Sequence, residues 1–163
     1  MDEPIVQAIK NGLSGRMSHV SPEETFEGLD WRLAGGRPSG CNHTIWQLLN
    51  HLIYWQDFCQ KLLAGQSPIS PEHAADSWIE DDAPANELVF HDRVSEFLRG
   101  IESVDSEVTT GEAFERQLPA NAKHSQIEVL MSLIAHNSYH LGQIVQLRQQ
   151  LGSWPPPSGG NTW

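Results

Sequence analysis

Cysteine, basic residues and long apolar runs are all scarce in this chain. Its two cysteines, Cys41 and Cys59, form neither a CxxC motif nor the framework of a disulfide-rich domain. Lys and Arg number 10 against 21 Asp and Glu, a net charge of −11 that argues against nucleic-acid backbones and anionic lipid as partners. No segment approaches the ~20 apolar residues that a membrane helix needs. We therefore expect no nucleic-acid or membrane partner.

The length and the N-terminus indicate a simple organisation. A chain of 163 residues fits one domain with its own core, and we predict a single helical domain over 1–163. The first residues, Met1-Asp2-Glu3-Pro4, are acidic and carry no apolar signal segment. We therefore expect a cytoplasmic protein.

Apolar residues recur at steps of three and four, the spacing of helices with one buried face. The pattern predicts a short helix over 3–14, a helix that begins with a Ser21–Glu24 capping box and ends before Gly35, and three longer helices. The longer helices are predicted over 44–64, 85–103 and 125–151. Four main helices with apolar stripes and no β pattern imply an all-α four-helix bundle.

The segments between these helices give further expectations. Residues 66–84 read as a long exposed connection that Trp78 anchors to the bundle and that roofs a site, and 105–123 as mostly loop. The tail 158–163 is expected to be loose. In the helix over 85–103 the residues predicted to face inward are Leu88, His91, Val94, Phe97, Leu98 and Ile101.

Histidines stand where the helical pattern expects apolar core residues. His136 and His140 are four positions apart, so both imidazoles share one face and can reach one ion. His51 borders the apolar stripe of the helix over 44–64. Three such histidines, if they converge, form the open three-nitrogen site typical of catalytic zinc. The alternative is that they are ordinary core histidines with hydrogen-bonded rings.

The nearby carboxylates leave the chemistry open. The segment His136-Asn137-Ser138-Tyr139-His140 lacks the Glu of the HExxH protease motif. Glu128 lies near the same helix face and is either a base or ligand beside the metal or a surface carboxylate. Trp55, Trp78 and Tyr139 either line a substrate pocket beside the 66–84 connection or pack in the core.

Two segments resemble the signatures of a known family. His51-Leu52-Ile53-Tyr54-Trp55-Gln56, preceded by Ile45-Trp46-Gln47-Leu48-Leu49, is similar to the second-helix signature of the DinB-like superfamily, the damage-inducible, YfiT-like metal-binding bundles. The run from His136 to Ile144, followed by Leu147-Arg148 and Leu151-Gly152, resembles the fourth-helix signature. The resemblance covers nearly the whole chain, although residues 66–123 carry no specific motif.

The resemblance implies a fold, a cofactor and a class of reaction. It implies an up-down-down-up bundle, a homodimer, and a divalent metal, nickel or zinc, held by His51, His136 and His140. Relatives include transferases that use low-molecular-weight thiols. The other histidines have no place in that ligand pattern and are interpreted as structural or solvated: His19, His43, His73, His91 and His124.

Three functional hypotheses follow. The first is a metal-dependent transferase whose ion activates a small thiol. The second is a metal-dependent hydrolase, which needs a nearby base such as Glu128 or Asp57. The third is a non-enzymatic metal-binding protein that acts in stress or interaction.

Overall fold

A computed structural model of the chain describes residues 3–108, 118 and 124–160, and the regular structure in these ranges is helical. The all-α prediction is therefore confirmed. The α-helices are α1 (Glu3–Ser14), α2 (Pro22–Phe26), α3 (Ile45–Leu63), α4 (Glu87–Glu107) and α5 (Gln126–Gln150). Two 3₁₀ turns, Trp31–Leu33 and Ala74–Ser77, lie between them. None of the described helices combines the length and the apolar character needed to cross a membrane.

Helix α3 lies at the centre of the packing. It packs along both α4 and α5, and α1 also contacts both of these helices. One continuous apolar core joins these four helices. Its fully buried members include Ile45, Leu52, Phe97, Leu133 and Ile144. The four longest helices, α1, α3, α4 and α5, form a bundle, in which α1 takes the place of the helix predicted from Ser21 to before Gly35. The up-down-down-up order stays a prediction.

The ends of α3 confirm the predicted 44–64 segment. The Thr44 hydroxyl accepts a hydrogen bond from the Gln47 backbone N–H, and the Gln47 side chain accepts one from the Thr44 N–H, which forms a capping box. At the other end Gly65 takes φ +77°, a left-handed conformation that glycine adopts without a Cβ clash. The Thr44–Gln47 capping box and Gly65 can both be recognised in the sequence.

Helix α2 is shorter than predicted. The Ser21–Glu24 capping box is present, but the helix ends at Phe26 instead of continuing to Gly35. Gly28 takes φ +66°, which turns the chain out of the helix. Asp30 then caps the separate 3₁₀ turn by accepting from the Arg32 N–H.

The predicted buried face of α4 is confirmed in part, since Phe97 and Ile101 are buried and Val94 and Leu98 pack against the core. Leu88 is 69% exposed and His91 also faces solvent, so their predicted inward positions are wrong. Phe90 is buried in their place and continues the stripe of Phe97 and Ile101. The helix begins at Glu87 with Asn86 as its cap. Because successive residues turn by about 100°, Leu88 lies nearly opposite Phe90 and His91 lies beside the buried stripe, so both stay outside it.

The connection over 66–84 is partly fixed to the bundle. The Thr44 hydroxyl donates to the Asp82 carbonyl at 2.6 Å, and Arg37 makes an ion pair with the Asp82 carboxylate. Ser77 is buried, although most of the segment is exposed as predicted. Most of the loop predicted over 105–123 falls outside the described residues, and α4 extends to Glu107.

Arg148 ties the end of α5 to the N-terminal segment. Its side chain is almost fully buried, and its guanidinium donates to the backbone carbonyls of Thr25 at 2.7 Å, Glu27 at 2.9 Å and Ser153 at 2.8 Å. Ser158 also contacts this region, because its N–H donates to the Glu27 carboxylate. The tail is thus held at Ser158, where we expected it to be loose, and residues 161–163 lie outside the described part.

Candidate metal centre

Three histidines from two helices converge between α3 and α5. Each of His51, His136 and His140 offers a ring nitrogen, and these nitrogens all lie within 4.8 Å of one another. The Nε2 atoms of His51 and His136 are 3.2 Å apart. Two nitrogens bound tetrahedrally at ~2.05 Å from one ion would be ~3.4 Å apart. The spacing of this pair therefore fits a shared ion.

Hydrogen bonds at the far side of two rings orient them. His51 Nδ1–H donates to the Ser77 backbone carbonyl at 3.1 Å, and a carbonyl can only accept, so Nδ1 carries the proton. His140 Nδ1–H donates to the Gln143 side-chain carbonyl at 2.7 Å. Both rings therefore keep the Nε2 lone pair free. This is the usual arrangement in which an outer hydrogen bond fixes the tautomer of a metal-binding histidine.

Burial keeps the three rings neutral. The pKa of His51 and of His136 is lowered to about 4, mainly by desolvation and in smaller part by the neighbouring imidazoles, and for His51 against the hydrogen bond to Ser77 that raises it. Desolvation also lowers the pKa of His140, against the hydrogen bond to Gln143 that raises it. A histidine must be neutral to bind a metal. The set of three neutral imidazoles therefore has the donor chemistry of a zinc or nickel site.

A stack of aromatic rings closes one side of the cluster. The Trp78 ring lies flat on the His51 ring, with centroids 3.8 Å apart and planes 6° apart. His43 stacks on the opposite face of Trp78 at 3.6 Å. Trp55 meets His51 and His136 edge-on at 6.4 and 6.3 Å. The expectation that Trp78 anchors the 66–84 connection to the bundle is confirmed.

His43 and Gln143 are site residues that the sequence analysis missed. His43 was interpreted as structural or solvated, yet it reaches the cluster through Trp78. Gln143 had a readable signal, because a polar residue three positions after His140 on a helix can reach the same ring. His43 had none, since its contact depends on a tryptophan 35 positions away in a loop.

Glu128 and Asp57, the carboxylates considered as bases beside the metal, are engaged away from the three histidines. Glu128 accepts from the N–H and the hydroxyl of Ser125 at the start of α5, and the bond from the Ser125 backbone holds its pKa below the ordinary range. Asp57 pairs with Lys61 at 2.6 Å on the exposed side of α3. Within the described ranges, the metal-type cluster contains the three histidines and no carboxylate. Glu128 is therefore a helix cap, not a base beside the triad.

A pocket of about 430 Å³ lies near the cluster, and none of the three histidines lines it. Its wall comes from the loop over 40–43 and from the face of α5 that carries Tyr139 and Gln143. The 66–84 connection was expected to line this pocket, but none of its residues does so, and Ser77 and Trp78 border a second cavity instead. The pocket therefore meets the triad only indirectly, through Gln143 and Tyr139 at the His140 ring.

Fold and site together define a helical bundle with a three-histidine cluster across two adjacent helices. The family model of the DinB family matches residues 25–161, which include all three histidines. The chain therefore belongs to the DinB family. No curated protein and no solved structure matches it.

Proposed function

We propose that this DinB-family chain holds one divalent metal ion, nickel or zinc, through His51, His136 and His140, and uses it to transfer a small thiol to an electrophile. The observation that carries the proposal is a cluster of three neutral imidazoles that, among the residues the structure describes, includes no carboxylate. A bound ion would supply Lewis acidity and would lower the pKa of a thiol in its open coordination position.

The residues of the chain have separate tasks in this proposal. The three Nε2 atoms hold the ion, and Ser77 and Gln143 fix the rings that present two of them. Trp78 covers the His51 ring and shields that side from water. His136 is partly exposed, so the cluster keeps an open side. A closed structural site has four protein ligands, which favours a reactive role over a purely structural one.

The transfer balances without an oxidant or a reductant. The S–H bond of the thiol breaks and its proton passes to solvent. The sulfur then forms a bond to an electrophilic carbon, and the leaving group departs with the electron pair of its bond to that carbon. A hydrolase would need a base to activate water. Glu128 and Asp57 are engaged in a helix cap and an ion pair, so no specific observation favours hydrolysis.

Removing the Gln143 carbonyl is expected to weaken metal binding. Gln143→Leu leaves His140 Nδ1–H without its acceptor, and loss of such a partner typically costs 10–100-fold in metal affinity. Titration with zinc against a competing chelator measures the change. Gln149→Leu, on an exposed part of α5, is the matched control and should stay within about twofold of the parent chain. Equal affinities for both variants would contradict the role of Gln143.

Metal affinity is expected to stay nearly constant from about pH 8 to about pH 5 and then to fall steeply. The pKa of His51 and of His136 is about 4 in the folded chain, so protons compete with the metal only near that pH. The metal-free fold should itself lose stability as pH falls from 6.5 through about 4, because the unfolded chain binds protons that the buried rings do not. A metal affinity that already falls from pH 6.5 downward, or that is unchanged below pH 4, would contradict the prediction for metal binding.

Cobalt(II) tests the proposed chemistry directly. The cobalt-loaded protein should develop a sulfur-to-metal charge-transfer band when it is titrated with 2-mercaptoethanol. Ethylene glycol, which lacks the sulfur, should give no band. Absence of a band with every thiol tried, at full cobalt occupancy, would refute a thiol-dependent function and would leave metal binding intact.

A further inference from the structure

The ring of His136 differs from the other two rings of the triad in where its proton lies. His51 Nδ1–H donates to the Ser77 carbonyl, so the Nε2 atom of the neutral His51 ring carries a lone pair. This atom is 3.2 Å from His136 Nε2, a hydrogen-bond distance that requires one proton between the two nitrogens. In the metal-free chain His136 therefore carries its proton on Nε2 and a lone pair on Nδ1.

Holding an ion through Nε2 requires the opposite placement of the proton on His136. Nε2 must then present its lone pair, and because the ring stays neutral, Nδ1 must carry the proton. The Nε2–H bond breaks, an Nδ1–H bond forms, and the ring releases no net proton. His51 and His140 need no such change. Their protons already lie on Nδ1, where Ser77 and Gln143 accept them.

Buried polar atoms without partners lie where this proton has to go. His136 Nδ1 is buried and has no hydrogen-bond partner among the described residues. The next residue, Asn137, is only 4% exposed, and in the same part of the chain neither its amide nitrogen nor its amide oxygen has a partner. A buried amide in this state destabilises the fold, so stability does not explain its presence.

The Asn137 amide suits both states of the His136 ring. Its nitrogen donates and its oxygen accepts, so rotation about one side-chain bond presents either group to Nδ1. Successive side chains on a helix diverge by about 100°, and in the metal-free chain the two side chains form no regular hydrogen bond. The amide is nevertheless near enough to act on the ring, since it raises the pKa of His136 against the larger lowering by burial.

We propose that Asn137 is a positioning residue whose side-chain oxygen accepts the Nδ1–H of His136 when the triad holds its ion, and that this ring changes its tautomer on binding. The inference rests on the proposed metal binding and adds an outer partner for the third ligand. Ser77, Gln143 and Asn137 then each orient one ring. The unpartnered amide is accounted for, because its partner exists only in the metal-bound state.

Nitrogen-15 NMR of the histidine rings tests the tautomer change on the full chain. In the metal-free protein His136 should carry its proton on Nε2, whereas His51 and His140 should carry theirs on Nδ1. After addition of zinc all three rings should show a proton on Nδ1. A His136 ring that already carries its proton on Nδ1 in the metal-free chain would overturn the tautomer change.

Variants of Asn137 test its role. Asn137→Leu keeps the branched shape without the polar atoms, and its zinc affinity should fall by about 10–100-fold, the usual effect of losing an outer partner of a ligand. The melting temperature of the metal-free variant should not fall, because an unpartnered amide is removed. Asn137→Ala, which adds no volume, should show the same loss of affinity.

Asn137→Asp is the conservative variant that should rescue binding. It keeps an acceptor for Nδ1–H, so its zinc affinity should stay within about threefold of the parent chain. Its metal-free melting temperature should fall, because a carboxylate is buried without a partner. The leucine and aspartate variants therefore change stability and affinity in opposite senses, whereas a merely structural role would change both in the same sense.

Asn50→Leu is the matched control, because Asn50 is also buried beside a triad histidine but has its hydrogen bonds, to the Trp46 carbonyl and from Arg93. It should lower the melting temperature and leave the zinc affinity within about threefold. If the parent chain binds zinc and Asn137→Leu and Asn137→Ala bind it equally well, the inference is wrong and the proposed metal binding stands. A parent chain that binds no zinc would instead overturn the proposed function, and this inference with it.

Discussion

Replacing His140 with alanine is expected to abolish stoichiometric metal binding. His140 supplies one of three nitrogen donors, and loss of an outer-shell partner alone costs 10–100-fold in affinity, so removing a ligand should cost more than about 100-fold. The helices should persist, because α5 has a long apolar stripe on both sides of the histidine. Metal content after gel filtration and circular dichroism measure the two effects.

Two further variants make this result interpretable. His91→Ala removes a histidine that is exposed on α4, and it should leave metal content unchanged. His140→Gln keeps a larger side chain at the buried position and should still lose the metal. One ion per chain at the parent affinity in either His140 variant would show that the ligand set is wrong.

Replacing Arg148 with methionine is expected to destabilise the fold by about 3–5 kcal/mol. The methionine fills similar space but leaves the carbonyls of Thr25, Glu27 and Ser153 without their charged donor, and buried partners left in this way are costly. In a domain of this size the loss lowers the melting temperature by roughly 10 °C. Chemical denaturation of the metal-free protein measures it without interference from metal binding.

Arg32→Met is the control for this prediction. Arg32 is 68% exposed and pairs with Asp30 within the same turn, so its loss should cost less than about 1 kcal/mol. If Arg148→Met is as mild as Arg32→Met, the buried guanidinium does not connect α5 to α2 in the way the contacts indicate.

The long helices were predictable because their signals are local. The Thr44 cap and Gly65 fix α3 from within a few residues of its ends, and the stripe of Leu133, Ile144 and Leu147 is buried on α5 as its spacing predicts. Leu88 and His91 were misassigned on α4 because both continue the steps of three that lead to Val94 and Phe97. At about 100° per residue Leu88 lies nearly opposite Phe90, and only the packing of α4 against α3 decides which of the two faces is buried.

The site was only partly predictable, because only some of its contacts follow from residues that are close in sequence. His136 and His140 lie on one helix face, so their proximity follows from helix geometry alone. Nothing local brings His51 to them; the family resemblance suggested it, and the packing of α3 on α5 brings the ring there. The stack of His43, Trp78 and His51 depends on a loop folding back over 26 residues from His51 to Ser77, which no periodicity records.

X-ray absorption of the zinc-loaded protein tests the metal centre most directly. A site built by His51, His136 and His140 predicts one ion per chain with three imidazole nitrogens at ~2.0–2.1 Å and one further light-atom ligand. Adding 2-mercaptoethanol should replace that light atom with a single sulfur at ~2.3 Å. Protein sulfur at the metal before any thiol is added, or fewer than three imidazole ligands, would contradict the triad.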